Sequence, residues 1–283
     1  LKTCATSLLG FSNLYLFKNA TDYFAQSTQL NVYAHTWSLS VEEQFYFIYP
    51  FLAWFSGYTR NKKNSSKYLS ILLSVLASIS IIIFIYNYPL NQNAAYFLMP
   101  SRFWEIALGC LSFIGFSKKL KLIDHIKELN GNYLFILLII FLLNPINTPI
   151  INTLSAVSLT VLFILSIKEN DFTYKLLTQK TVLKIGLMSY SLYLWHWAII
   201  SLSKWTIGIT WWTIPIQIFL IYLVSYFSYK FIESPIRNFK INDRFLSYIS
   251  AFIAILLGQI IILILGSNGK RFLFLGNLSN LYK

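Results

Sequence analysis

The sequence has very little charge for its length. Only 12% of its 283 residues are charged and only 10 are acidic, whereas 56% are hydrophobic. A soluble domain carries roughly 25% charged residues, which it needs to cover its surface. The shortage of charge therefore excludes a soluble globule and predicts an all-α fold, a polytopic transmembrane helical bundle.

Cysteine is scarce as well. The two cysteines, Cys4 and Cys110, lie in apolar segments and do not have the spacing of a metal site. This pattern predicts packed thiols rather than a zinc site or a disulfide framework. We expect neither a bound metal nor a bound cofactor.

The excess of basic residues, a net charge of +13, does not form a basic domain. The basic residues fall between apolar runs, as the loops of a membrane protein require. This distribution argues against nucleic acid as a partner and predicts a lipid bilayer around the chain.

The chain also lacks an initiator methionine and a signal-peptide pattern at Leu1, and it begins inside an apolar stretch. We therefore expect a fragment of a longer protein. Residues 1–265 are predicted to form one membrane domain, and residues 266–283 an extracytoplasmic tail or the start of a linker.

The apolar runs predict about nine membrane-spanning segments. The first, fifth and sixth are shorter than the ~20 residues that a span needs. A turn at 144–149, NPINTP, separates the fifth segment from the sixth and predicts a tight helical hairpin, either tilted or partly shielded by protein. The predicted segments are 3–17, 38–57, 68–88, 97–116, 132–144, 153–167, 185–204, 211–231 and 245–265.

The basic loops predict the orientation. Sixteen of the 23 lysine and arginine residues follow the second, fourth, sixth and eighth segments, at 60–67, 118–127, 168–184 and 230–244. These loops share one side if the chain alternates across the bilayer, and the positive-inside rule makes that side cytoplasmic. The expected location is the inner (cytoplasmic) membrane, with the tail after Leu265 outside.

Two adjacent acids, Glu42 and Glu43, head the second segment in the stretch HTWSLSVEEQFYFIYP, which begins at His35. A helix that spans the bilayer must begin near Ser38, and both acids then lie in its outer quarter. Acids inside a membrane are costly and usually face a polar cavity. The alternative is a capping box, in which Ser40 and Glu43 cap the helix at the interface.

A second charged pair, Arg102 and Glu105, lies inside the fourth segment. Residues three apart share a helix face, and the helical rise places Arg102 ~8 Å below the outer boundary. Two interpretations stay open. The pair either neutralises itself and holds helices together, or lines an outer polar cavity.

Two histidines are candidates for chemistry. His196 lies near mid-depth of the seventh segment beside Trp195, too deep for a purely interfacial aromatic belt. It is either a hydrogen-bonded core histidine or part of a channel. His35 precedes the second segment and is expected at the mouth of the cavity with Glu43, where a histidine can shuttle protons near neutral pH.

Four motifs follow one another along the chain. They are HTWSLSVEEQFY from His35 to Tyr46, RFWE from Arg102 to Glu105 with Gly109 after it, SYSLYLWHW from Ser189 to Trp197, and ESPIR from Glu233 to Arg237. Together they resemble the acyltransferase-3 family of bacterial integral membrane O-acyltransferases. The resemblance runs from about Ser12 to Arg271, nearly the whole chain.

The resemblance implies an enzyme that takes an acyl group, often acetyl, from cytoplasmic acyl-CoA as co-substrate. It delivers the group to a hydroxyl of an extracytoplasmic glycan, such as lipopolysaccharide, peptidoglycan, capsule or another cell-surface sugar. The candidate catalytic residues are then His35, Glu43, Arg102 and Glu105. The candidate channel residues are Glu42, Trp37, Trp195 and His196.

Members of this family begin with a helix that carries an essential histidine, the presumed general base, and this sequence does not contain that helix. We expect a parent of about eleven helices and an inactive 283-residue fragment. Members with this topology typically continue into an extracytoplasmic SGNH-type domain, and GSNGKRF at 266–272 resembles the start of that connection.

The last motif is interpreted as structural. Glu233 and Arg237 are expected to pair at the cytoplasmic face, and Pro235 to end the eighth helix because proline disfavours helix at Ser234.

Two other classes remain open. A transporter or flippase for a glycan-related substrate would use the same acids and arginine for binding or proton coupling. A catalytically inactive membrane scaffold would tolerate changes at Glu43 and Arg102.

Overall fold

A computed structural model gives the fold and describes residues 2–19, 30–60, 64–143, 149–239, 250 and 253–264. Within these ranges the regular structure is helical, without strands. The helices are α1 (Lys2–Leu8), α2 (Ser12–Asn19), α3 (Trp37–Phe55), α4 (Ser65–Leu90), α5 (Gln92–Phe97), α6 (Met99–Ser117), α7 (Lys121–Glu128), α8 (Gly131–Leu143), α9 (Pro149–Ser166), α10 (Phe172–Leu177), α11 (Lys180–Leu187), α12 (Ser189–Trp205), α13 (Ile214–Ser228), α14 (Ser234–Asn238) and α15 (Ile253–Ile264). Two 3₁₀ turns, Ala34–Thr36 and Tyr58–Arg60, and one π-helical turn, Tyr229–Glu233, complete the order.

Among the described residues, four helical stretches are long and apolar enough to cross a membrane, with mean hydropathy from 1.2 to 2.6, and the bent pair of 180–187 and 189–205 is a fifth if it counts as one span. The four stretches are 65–90, 92–117, 149–166 and 214–238. Only 11–33% of each is buried within the chain, so most of their apolar surface faces outward, as lipid-facing helices require. The all-α, multi-pass membrane class is therefore confirmed, whereas the count of nine segments stays a prediction.

Three predicted segments differ in detail from the helices. Segment 3–17 is two helices, α1 and α2, because the chain turns at Gly10 with a φ of 70°, a conformation that glycine adopts readily. Segment 97–116 begins at the last residue of the short α5 and continues as α6. Segment 185–204 corresponds to two helices, α11 and α12, with a break between them. The turn at 144–148 and the tail 266–283 lie outside the described residues.

The described residues within 1–40 and 191–283 belong to one compact unit. Polar side chains join its helices. Ser12 of α2 is fully buried, and its Oγ lies 2.7 Å from the Oγ of Ser40. In α15, Gln259 Nε2 donates to the carbonyl of Ala5 at 2.9 Å. Such small and polar residues hold membrane helices together because lipid offers no competing hydrogen bonds.

Residues 41–190 form a second compact unit. The main contact inside it is between α4 and α6. On α4 the buried positions recur every three or four residues, at Leu69, Leu73, Ala77, Ser80 and Phe84. On α6 the buried residues include Phe103, Trp104 and Ala107, and the backbone N–H of Trp104 donates to Ser80 Oγ at 3.1 Å. This packing fixes the orientation of α6, the helix that carries Arg102 and Glu105.

Candidate active site

Two histidines far apart in the sequence meet inside the first unit. His35 lies in the 3₁₀ turn before α3, and His196 lies in α12. Their ring centroids are 5.6 Å apart, at an interplanar angle of 74°. The rings of Tyr193 and Trp197, 5.2 and 6.4 Å from the His35 ring, complete a set of four that we call the histidine cluster. The two predicted histidines therefore share one site.

Hydrogen bonds to the backbone hold the cluster together. The hydroxyl of Tyr193 donates to the carbonyl of His35 at 2.6 Å, so Ser38 Oγ, 2.5 Å away, donates to the Tyr193 oxygen. The indole N–H of Trp197 donates to the carbonyl of Asn31 at 2.9 Å. These bonds position the turn around His35 against successive turns of α12. Tyr193, a residue of the SYSLYLWHW motif, is therefore a positioning residue.

The His35 side chain is 5% exposed, and neither ring nitrogen makes a hydrogen bond within the described part of the chain. Burial, with a smaller contribution from the nearby His196, lowers the pKa of His35 to about 4. The backbone groups of Val32 and Leu194 near the ring raise the pKa of His35, but by less than burial and His196 lower it. His35 is therefore neutral near pH 7, with one nitrogen able to accept a proton and the other able to donate one.

His196 has a defined tautomer. Its Nδ1 lies 2.7 Å from the carbonyl oxygen of Tyr193 and 3.2 Å from that of Leu192. A carbonyl only accepts, so Nδ1 carries the hydrogen and the neutral ring keeps its lone pair on Nε2. This orientation is the one that a general base needs. His196 was interpreted either as a hydrogen-bonded core histidine or as part of a channel. The structure shows the hydrogen bond, which uses Nδ1 and leaves Nε2 available for chemistry.

The two tryptophans predicted to line the channel differ in exposure. Trp37, the first residue of α3, is buried at 9% exposure, whereas Trp195 is 38% exposed. Neither ring is among the four of the histidine cluster. The channel role of both stays a prediction.

The acids at the head of the second segment do not form the capping box. Helix α3 begins at Trp37, so Ser40 lies inside the helix, and its hydroxyl bonds to Ser12 rather than to the helix start. Glu42 and Glu43 are exposed, and neither side chain forms an ion pair or a hydrogen bond with another described residue. With the capping box absent, the acceptor-side role of Glu43 stays a prediction.

In the second unit, Arg102 and Glu105 form a close ion pair. Arg102 Nη1 lies 2.6 Å from Glu105 Oε1, and the two side chains are 16% and 25% exposed. Arg102 Nε donates to the carbonyl of Tyr96 at 3.4 Å, and its guanidinium lies 5.0 Å from the Tyr96 ring centroid. The predicted shared helix face is confirmed, and it holds a hydrogen-bonded pair.

The ion pair also lines a cavity, so its two interpretations are compatible. The cavity has a volume of about 350 Å³ and is bounded by α6, α8 and α9. Its lining residues are Arg102, Glu105, Phe141, Leu142, Asn152, Thr153, Ala156 and Val157. Sequence reasoning missed Asn152 and Thr153. The signal was present, because two adjacent polar residues lie near the start of the mostly apolar helix α9.

The last motif is not a helix stop, and its structural role stays a prediction. Beyond α13 the chain makes the π-helical turn Tyr229–Glu233 and continues into α14. Pro235 is tolerated in the first turn of α14, directly after the π-helical turn, so the prediction that it ends the helix is wrong. Arg237 pairs with Glu233 at 3.5 Å, as expected. Glu233 also accepts a 2.7 Å hydrogen bond from the Oγ of Ser191 in α12.

Replacing Ser191 with alanine is expected to destabilise the first unit by about 1–3 kcal/mol, because Glu233 would lose a charge-assisted hydrogen bond from a serine that is 1% exposed. The matched control is Ser201→Ala in the same helix. Ser201 is fully buried, and its hydroxyl has no hydrogen-bond partner among the described residues. Unfolding in mixed detergent micelles measures both, and equal stability of the two variants would contradict the role of Glu233.

Metal chemistry finds no support in the described ranges, which hold no group of three or more histidine, cysteine, aspartate or glutamate residues. The expectation of a metal-free protein remains a prediction.

Several apolar helices whose surfaces face outward define a multi-pass membrane protein. Residues 5–230 match the acyltransferase domain of the acyltransferase-3 family, and the chain belongs to that family. It is 32% identical over 242 residues to the O-acetyltransferase OatA of Staphylococcus aureus strain NCTC 8325 / PS 47. The aligned residues make up 80% of this chain and 40% of that relative. The chain is 29% identical over 262 residues to the putative O-acetyltransferase SAR0937 of strain MRSA252, covering 86% of the chain and 42% of that relative.

The chain thus spans about two fifths of the length of these relatives. No solved structure matches it.

Proposed function

We propose that the protein is part of a membrane O-acyltransferase that moves an acyl group, acetyl in the first instance, from acyl-CoA to a hydroxyl of a cell-surface glycan. Membership of the acyltransferase-3 family supports acyl transfer, and two relatives carry the name O-acetyltransferase. The observation that carries the proposal is the histidine cluster, in which a neutral, buried His35 faces an oriented His196.

The chemistry needs a proton acceptor and a way to hold the reacting hydroxyl. As the acceptor oxygen attacks the thioester carbonyl, a new C–O bond forms and the hydroxyl proton leaves through the histidine pair. His196 can accept a proton at Nε2, and His35 can pass one between its two nitrogens. Collapse of the tetrahedral intermediate breaks the C–S bond, and the proton returns to the departing CoA thiolate. The essential histidine that family members carry on their first helix would act with this pair.

The remaining candidates divide between orientation and binding. Glu43 would orient the acceptor or relay protons, and Glu42, Trp37 and Trp195 would line its path. Arg102 and Glu105 would bind acceptor hydroxyls in the cavity that they share with Asn152. A fixed guanidinium and an amide side chain recognise hydroxyl oxygens by hydrogen bonds.

The orientation follows from charge. The loops rich in lysine and arginine would face the cytoplasm, where acyl-CoA is available, and the outer ends of α3 and α6 would face the glycan. This orientation supports a location in the cytoplasmic membrane.

The proposal predicts that deleting the full-length gene removes ester-linked acyl groups from one surface glycan, and that wild-type protein restores them. Mass spectrometry of the glycan measures this. A complementing His196→Phe protein is expected to leave acylation at least about 100-fold below wild type, because proton transfer contributes that much or more. A transporter predicts a different result, namely an unchanged ratio of acyl groups to sugar with altered amounts of exported glycan.

A further inference from the structure

A second cavity lies at the opposite end of the α4–α6 pair from Arg102. Its volume is about 660 Å³, and its lining residues are Tyr58, Asn64, Ser65, Ser66, Lys67, Ser70, Ile114, Lys118 and Leu120. They come from the turn after α3, the first turns of α4 and the end of α6, all in the second unit. The helical rise separates Arg102 from Lys118 by ~24 Å along α6, so this cavity is distinct from the outer one.

The lining is cationic and rich in donors. Lys67 and Lys118 contribute two positive charges, and none of the described lining residues is acidic. Neither lysine forms an ion pair within the described chain, whereas Lys127 pairs with Asp124 nearby. Unneutralised lysines beside hydroxyl groups are the arrangement that binds phosphate oxygens.

The start of α4 adds to the positive potential of the cavity. Ser65 and Ser66 open a 26-residue helix, so the free N–H groups of its first turn and the positive end of its dipole lie at the cavity. Ser65 is 6% exposed and lines the cavity, yet its hydroxyl makes no hydrogen bond to another described residue. The hydroxyl is open to the cavity, so a ligand oxygen there can accept its hydrogen bond.

From these three observations we infer that this cavity binds the phosphate group of an anionic ligand. Two sources share this chemistry: a soluble phosphate ester such as the nucleotide end of coenzyme A, and the headgroup of an anionic phospholipid. The first source would deepen the proposed function, on which it rests, because the cavity faces the side that the basic loops assign to the cytoplasm. The sequence alone could not make this inference, since the positive-inside rule explains lysines in these loops without any ligand.

The test uses the purified chain in nanodiscs and measures binding rather than transfer. In phosphatidylcholine nanodiscs, calorimetry with coenzyme A is expected to show binding that the double variant Lys67→Gln/Lys118→Gln weakens about tenfold or more. The Lys67→Arg/Lys118→Arg variant keeps both charges and should retain binding. Lys175→Gln is the matched control, an exposed lysine outside the cavity, and should bind as the wild type does.

A second arm replaces phosphatidylcholine with phosphatidylglycerol. If the ligand is a lipid headgroup, phosphatidylglycerol raises the unfolding temperature of the wild type but not of the glutamine double variant. The inference is overturned if the double variant matches the wild type in both arms, or if the wild type responds to neither probe. Phosphate binding without any acyl transfer by the full-length protein would instead remove the proposed function and leave the phosphate site in place.

Discussion

Arg102→Ala in the full-length protein is expected to lower acyl transfer by about 100-fold or more, because the lining of the outer cavity would lose its cationic donor. It is also expected to destabilise the protein by about 1–3 kcal/mol, since Glu105 would keep its burial and lose its partner. Acyl content of the glycan and unfolding in detergent measure the two effects separately.

The double variant Arg102→Met/Glu105→Leu separates catalysis from stability. Replacing both members of an ion pair with apolar residues of similar volume is often neutral for stability. We therefore expect a double variant that unfolds like the wild type and still transfers little or no acyl group. Wild-type transfer by that variant would show that the pair only holds helices together.

His35→Leu is the second change with a large expected effect. The variant should reduce acyl transfer by about 10²–10⁴-fold, as expected for the loss of a proton-transferring group. It should not unfold the protein, because leucine fills a similar volume and removes two buried nitrogens that have no hydrogen-bond partner within the described chain. His125→Leu is the control, an exposed histidine of α7 with no assigned role.

His35→Leu also gives a prediction for how stability depends on pH. The pKa of His35 is about 4 in the folded protein, against about 6.5 for an ordinary histidine. Between these values the unfolded chain binds a proton that the folded chain does not, so His35 costs stability progressively as pH falls from about 6.5 to about 4. Thermal unfolding should therefore show that His35→Leu loses less stability between pH 7 and pH 4.5 than the wild type does. Identical losses in the two proteins would contradict a buried, neutral His35.

Local chemistry made part of the site predictable. Arg102 and Glu105 are three residues apart on one helix, so their contact follows from helical geometry once the segment is recognised. The pairing of Glu233 with Arg237 follows in the same way. The capping box failed because α3 starts one helical turn earlier than the serine pattern indicated, and tertiary contact with Ser12 took the hydroxyl of Ser40.

The histidine cluster was not predictable. His35 and His196 are separated by most of the chain, and no periodicity relates a 3₁₀ turn to a distant helix. Sequence reasoning assigned His35 to the mouth of a cavity with Glu43 and His196 to a central channel. Folding instead joins His35 to His196, through the bond from Tyr193 to the His35 carbonyl.

The scarcity of charge, the length of the apolar runs and the motif order were enough to determine an all-α membrane protein of the acyltransferase-3 family, because the bilayer accepts only helices with internally satisfied backbones or closed barrels. The tertiary structure alone decided which polar groups meet. It placed His35 beside His196, opened a cavity beside Arg102 with Asn152, and gathered Lys67 and Lys118 around a buried serine. Those contacts depend on how helices pack against one another, and packing is set by side-chain shape across the fold rather than by any local run of residues.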